Sequence, residues 1–144
     1  MADPAPVMAN GLPRENVIAL RVEGAVAAAV ALYIFGAMDL SWWLFGALIL
    51  VPDLSFLFYL GGSRMGSLAY NLAHLWVWPA VIGLSGYLIL PTDGDASLLL
   101  YGIALIWAVH IGIDRALGFG LKYPGSGDLT HLGPIGRARR RDAP

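Results

Sequence analysis

The sequence predicts an all-α protein, a four-helix transmembrane bundle of up-down topology with both termini cytoplasmic. Three observations carry that reading. The 144 residues are 58% hydrophobic and only 13% charged, about half the charge of a soluble domain, with a mean hydropathy of +0.66. The apolar residues gather into four runs, each near the roughly 20 residues that a bilayer-spanning helix needs. The breaks between the runs are short, which favours antiparallel neighbours. There is no cysteine, so disulfides, a thiolate nucleophile and cysteine-based metal or iron–sulfur sites are excluded.

Residues 1–16, MADPAPVMANGLPREN, are rich in proline and alanine and read as a disordered tail. A secretory signal competes, because Arg14 and Arg21 precede an alanine-rich run. Glu23 interrupts that run, however, and no good small-residue cleavage site follows before Asp39. The transmembrane domain covers residues 17–121, with helices expected at 17–37, 41–60, 67–90 and 97–121. They are separated by Asp39-Leu40-Ser41, by the glycine-rich residues 61–66 and by Pro91-Thr92-Asp93-Gly94-Asp95. Residues 122–144 form a Pro/Gly loop and a basic tail that carries Arg137, Arg139, Arg140 and Arg141.

Cations set the orientation. Arg14, Arg64, Lys122 and the tail arginines fall at one end of the predicted bundle, whereas the first and third loops hold only Asp39, Asp93 and Asp95. Positive charge marks the cytoplasmic side. Trp42 and Trp43 then belong to an outer aromatic belt. The basic tail is read as a topology signal that attracts anionic lipid, not as a nucleic-acid site. Membrane lipids are the expected partners, and a homo-oligomer or a larger membrane complex the expected assembly.

The polar residues inside the spans meet at one depth. Glu23, Asp53, His74 and Asp114 each lie six or seven residues from the cytoplasmic end of their predicted helices, roughly 10 Å below the inner surface at 1.5 Å per residue. His110 lies one turn deeper and, as the i,i+4 neighbour of Asp114, shares its face. Asn71, His74 and Trp78 fall along one stripe of the third helix. Arg115 points about 100° away from Asp114 and has the reach to meet the interface or Glu23. Gly112, Ala116 and Gly120 make a small-xxx-small row for close packing, with Glu23, Ala27 and Ala31 a similar row on the first helix.

Imidazoles and carboxylates without thiols suit Zn²⁺, Mn²⁺ or Fe²⁺. His74, His110 and Asp114 are the expected metal ligands, with Asp53 a further ligand or general base. A bound divalent metal offsets clustered charge that lipid makes costly, and with an open position it generates a hydrolytic nucleophile. Pro52 before Asp53 frees backbone carbonyls within the second span. Glu23 and Arg115 are expected to orient or bind an anionic head group. His131, in a loop able to fold back, is expected to close the mouth. No other cofactor is expected. Trp76, Trp78 and Trp107 read as packing residues.

The segments SWWLFGALILVPDLSFLFYLGG, AYNLAH, IWAVHIGIDRALGFGLKYP and THLG resemble the bacterial membrane family called domain of unknown function 4260. The likeness covers about residues 17–133. Its matched positions include Arg21, Glu23, Pro52, Asp53, Tyr70, Asn71, His74, His110, Asp114, Arg115, Tyr123, Thr130 and His131. Phe58 stands where glycine is expected, and the linker at residues 124–128 is unusual. The resemblance implies a small multi-pass protein of the bacterial cytoplasmic (inner) membrane and carries no activity. A looser likeness, in the Pro-Asp pair and the His/Asp residues near helix ends, is to membrane-bound metal-dependent hydrolases.

The function expected is therefore that of a metal-dependent hydrolase acting on a lipid or other amphiphile from the cytoplasmic leaflet. The alternative is a non-enzymatic membrane subunit, or an ion- or proton-coupled transport protein, whose His/Asp/Glu/Arg cluster is a structural or relay network.

Overall fold

The computed structural model describes residues 12–136, so most of the tail expected over residues 1–16 and all of the tail arginines lie outside the described residues. Among those described, four helical segments are long and apolar enough to cross a membrane: Arg14–Ala37, Trp42–Gly61, Ser63–Ile89 and Gly94–Leu117. This is the architecture of a helical membrane protein. Among the described residues, β1 (Leu129–Thr130) pairs with β2 (Gly133–Pro134) in a short antiparallel hairpin, and Lys122 bridges to Thr130.

Two spans are continuous helices, α1 (Arg14–Ala37) and α5 (Gly94–Leu117). The ends of α5 differ from the 97–121 expected, for local reasons. Asp93 Oδ1 accepts the Ala96 N–H at 2.9 Å and caps the helix early. Gly118, at φ 97°, takes the left-handed turn that lets Phe119 N–H close on Asp114 O at 2.8 Å, ending the helix there. Gly120 is consequently beyond the helix.

The other two spans are broken. The second runs as α2 (Trp42–Leu48) and then as a 3₁₀ helix (Pro52–Gly61). Pro52 has no N–H to continue the α-ladder, and Asp53 N–H bonds instead to Leu50 O at 3.1 Å. The third, expected as one helix over 67–90, is α3 (Ser63–Ala73) and α4 (Val77–Ile89) with a break at His74–Trp76. Pro79 explains it, because its missing N–H costs nothing only in the first turn of a new helix.

A break in lipid leaves carbonyls that must find donors. Trp78 Nε1 donates to Leu72 O at 2.6 Å, Trp107 Nε1 to Ala73 O at 2.9 Å, and Arg115 Nη2 to His74 O at 3.4 Å. The two tryptophans expected to serve as packing therefore also cap the broken helix.

The central helix is α5, the most buried of the spans. It packs antiparallel on α1, with Gly24 against Gly112 and Ala116 at one end, and at the other Leu40, in the loop that follows α1, lies against Gly102. The small row on α1 is thus Gly24, Ala28 and Ala31, all buried, and Glu23 is turned off the contact. Side chains at Gly24 or Gly112 would hold the backbones apart. At the far end Phe35, Leu40 and Ile106 form an apolar core. The valines Val22, Val26 and Val30 stay exposed on α1, as a lipid-facing stripe does.

Candidate metal centre

Both breaks fall at residues that then converge. Asp53 stands in the first turn of the 3₁₀ helix and His74 caps the end of α3, while His110 and Asp114 follow one another on α5. One ligand atom from each of Asp53, His74, His110 and Asp114 lies within 4.8 Å of all the others. His74 Nε2 is 3.1 Å from His110 Nε2, 3.3 Å from Asp114 Oδ2 and 3.6 Å from Asp53 Oδ1. His110 Nε2 is 3.6 Å from Asp53 Oδ1 and 3.9 Å from Asp114 Oδ2.

Those spacings fit an ion. Ligand bonds of about 2.0–2.2 Å put neighbouring tetrahedral donors about 3.3–3.6 Å apart. Two imidazoles and two carboxylates also neutralise a divalent cation, which a membrane interior demands. Burial is graded: the side chains of His74 and His110 are 2% and 6% exposed, that of Asp114 18% and that of Asp53 37%. Asp53 is the open side of the centre.

Tyr70 organises this group from three directions. Its backbone carbonyl lies 2.7 Å from His74 Nδ1 and can only accept, so Nδ1 carries the proton and Nε2 presents its lone pair inward. Its hydroxyl donates to Asp114 Oδ2 at 2.9 Å. Its ring stacks on the His74 imidazole, with centroids 3.8 Å apart and planes 19° apart. Partners of this kind fix tautomer and orientation in metal sites.

Lys122 completes the mouth. Its Nζ lies 4.2 Å, 4.8 Å and 4.3 Å from the ring centroids of Phe56, Tyr59 and Tyr70, within cation–π range. Burial pushes its pKa below the usual lysine value, opposed by the charges of Asp128, Asp114 and Asp53. Asn71 pins the backbone beneath it. Nδ2 donates to Lys122 O at 2.8 Å and Oδ1 accepts the Lys122 N–H at 2.6 Å. Ser67 Oγ accepts from Gly125 N–H at 3.1 Å and Tyr59 Oη donates to Ser126 O at 3.1 Å. The C-terminal segment therefore lies folded back on the bundle.

Three of the residues expected here are elsewhere. Arg115, Glu23 and His131 border a separate cavity. Arg115 sits behind His74, holding its carbonyl, as its 100° rotation from Asp114 requires. Glu23 is exposed on α1, because the neighbouring Gly24 takes the contact with α5. His131 Nδ1 accepts the Leu121 N–H at 2.8 Å. Burial and the charge of Arg115 hold its pKa below the ordinary 6.5, against a smaller opposing effect of the Leu121 backbone.

Sequence reasoning missed the organising part of Tyr70 and the place of Lys122 at the mouth. Tyr70 carried a signal, four residues before a histidine on one helix, where carbonyl and ring fall beneath it. Lys122 carried none, since a lysine just after a span reads as an interfacial charge.

Against known proteins, the family described as "Domain of unknown function (DUF4260)" matches residues 17–135. No curated protein and no solved structure matches the chain.

Proposed function

The chain belongs to the family described as domain of unknown function 4260, a description without an activity, and we propose from its site that the protein is a metal-dependent membrane hydrolase. The observation that supports this is the convergence of four donors from three spans, with the His74 tautomer set for ligation. The donor set suits Zn²⁺, Mn²⁺ or Fe²⁺. Such an ion supplies Lewis acidity and lowers the pKa of a water toward about 7.

The chain's own residues divide the remaining work. His74, His110 and Asp114 are the buried ligands. Asp53, the most exposed of the four, is the ligand free to withdraw and accept a proton from the attacking water. It returns that proton to the leaving group as the substrate's ester or phosphoester bond breaks. Lys122 offers its ammonium to an anionic head group or to the developing oxyanion.

A lipid or other amphiphile is the fitting substrate. Asp114 lies within one turn of the end of α5, about 5 Å along the axis, where head group meets acyl chain. In this reading the end faces the cytoplasmic leaflet of a bacterial inner membrane, supported by the cations Arg14, Arg64 and Lys122 that gather there.

The second reading is a non-enzymatic proton relay, favoured by the 3.1 Å approach of His74 and His110 between two carboxylates. Turnover separates the two. Metal-loaded protein in mixed micelles is assayed on fluorogenic carboxylic esters, amides and phosphoesters of acyl lipids. The hydrolase reading predicts turnover lost to chelator and restored by metal, and kcat lower by roughly 10²–10⁴-fold in Asp53→Asn. No turnover on any class, together with proton flux in liposomes that His110→Ala abolishes, overturns it.

A further inference from the structure

Both α1 and α4 pack on α5 but scarcely on each other, leaving a cleft with α5 as its floor. Three cavities follow one another along it. The first, of about 420 Å³, is bordered by Glu23, Ala27, Trp76, Arg115 and His131. It shares Glu23 and Ala27 with a second of about 550 Å³, an open groove along α1 past Val26, Val30 and Ile34 that meets α5 at Leu105. That one shares Ile34 and Leu105 with a third of about 400 Å³ beside Pro79 and Gly83. Polar groups concentrate at the first, and hydrocarbon dominates the rest.

Two charged groups on the first cavity keep unused hydrogen-bonding capacity among the described residues. Arg115 is only 8% exposed. Its Nη2 holds His74 O, but its Nη1 is buried with no hydrogen-bond partner. Glu23, on the same cavity, is not paired with it or with any other described residue. A guanidinium N–H buried without an acceptor is costly, and a ligand that brings the acceptor removes the cost. The presence of an unpaired acid beside it asks that ligand for a donor as well.

We propose that this cleft binds an aminophospholipid. Its phosphate sits on Arg115 Nη1, its primary ammonium on the Glu23 carboxylate, and one acyl chain runs past Val26, Val30 and Ile34 toward Leu105. The lengths agree. From Glu23 to Ile34 the helix rises about 16 Å, half of a hydrocarbon core of about 30 Å, which is the depth of one leaflet. A primary ammonium gives Glu23 charge-assisted hydrogen bonds that a quaternary ammonium or a glycerol head cannot match. The site lies behind the metal centre, with Arg115 reaching from one to the carbonyl of His74 in the other, and its argument uses none of the four ligands, so the inference does not rest on the hydrolase reading.

Native mass spectrometry of the full chain in detergent, titrated with synthetic phosphatidylethanolamine, phosphatidylglycerol and phosphatidylcholine, tests it. The ethanolamine lipid is expected to bind roughly tenfold more tightly than the other two, the equivalent of one charge-assisted bond. Glu23→Gln should bring it down to their level. Ala27→Phe, which fills the junction of the first two cavities, should weaken all three at least tenfold with the thermal midpoint unchanged. Equal binding of the three lipids by the unaltered chain overturns the proposal, as does unchanged binding in Ala27→Phe. Displacement of the lipid by soluble phosphoethanolamine at equal concentration overturns it too, since the apolar cleft would then contribute nothing. Should Ala27→Phe fail to fold, Glu23→Gln on the exposed face of α1 decides the matter alone.

Discussion

His74 Nε2 and His110 Nε2 face each other at 3.1 Å, each also within 4 Å of the carboxylates of Asp53 and Asp114. Because the Tyr70 carbonyl accepts a hydrogen bond from His74 Nδ1–H, neutral His74 can only point a lone pair into this space. A cation at the centre satisfies all four donors at once. The alternative is a single shared proton that leaves most of their lone pairs unmet.

Tyr70→Phe removes the hydroxyl that donates to Asp114 Oδ2 and keeps the ring stacked on His74 and the backbone carbonyl. Metal affinity should fall about 10–100-fold, as for other outer-shell partners. Competition with a chromophoric chelator measures it, and the thermal midpoint of the metal-free protein should hardly change.

Trp107→Phe leaves Ala73 O without its donor at 2.9 Å. An orphaned carbonyl costs about 1–3 kcal/mol, and this one lies next to the break that presents His74. Thermal unfolding in detergent should show the loss, and metal affinity should fall with it.

Gly112→Ala places a methyl group 2.6 Å from Gly24 O and 2.8 Å from the Ala28 Cβ. Forcing α1 away from α5 should cost about 1–3 kcal/mol. Gly46→Ala, where nothing lies within 4 Å, serves as the control and should be neutral or slightly stabilising. Equal effects of the two would show that the close helix contact does not matter.

Docking of the C-terminal segment should weaken in acid. His131 has its pKa lowered by burial and by Arg115, so the undocked segment binds more protons than the docked one near and below pH 6.5. Its contribution is present above that pH and diminishes as pH falls, when protonated Nδ1 loses the Leu121 N–H. Proteolytic nicking within residues 122–128, scaled to an unstructured peptide at each pH, should be faster at pH 5.5 than at 7.5. Equal protection at both would contradict this.

Much of this architecture was legible in the sequence. Four spans and the pair His110–Asp114 on one helical face follow from apolar length and i,i+4 spacing. The placement of Asp53, His74 and Asp114 near one another follows from counting rise along each helix. Counting rise fixes depth but not azimuth, and one residue is 100°. Depth alone therefore groups Glu23 with the cluster, whereas Gly24, one residue on, is what meets α5. The break before α4 was available in Pro79, whose missing N–H forbids a straight helix there. The fold-back that brings Lys122 over three aromatic rings depends on Asn71 and Ser67 reaching the loop, contacts with no local pattern.

The metal content of the detergent-purified protein decides whether the four donors hold an ion. Mass spectrometry of the metals should find about one Zn, Mn or Fe ion per chain, lost in His110→Ala and in Asp114→Ala while the helical circular dichroism persists. A folded wild-type protein that carries no metal, and takes up none of the three when dialysed against them, would show that Asp53, His74, His110 and Asp114 are not a metal site.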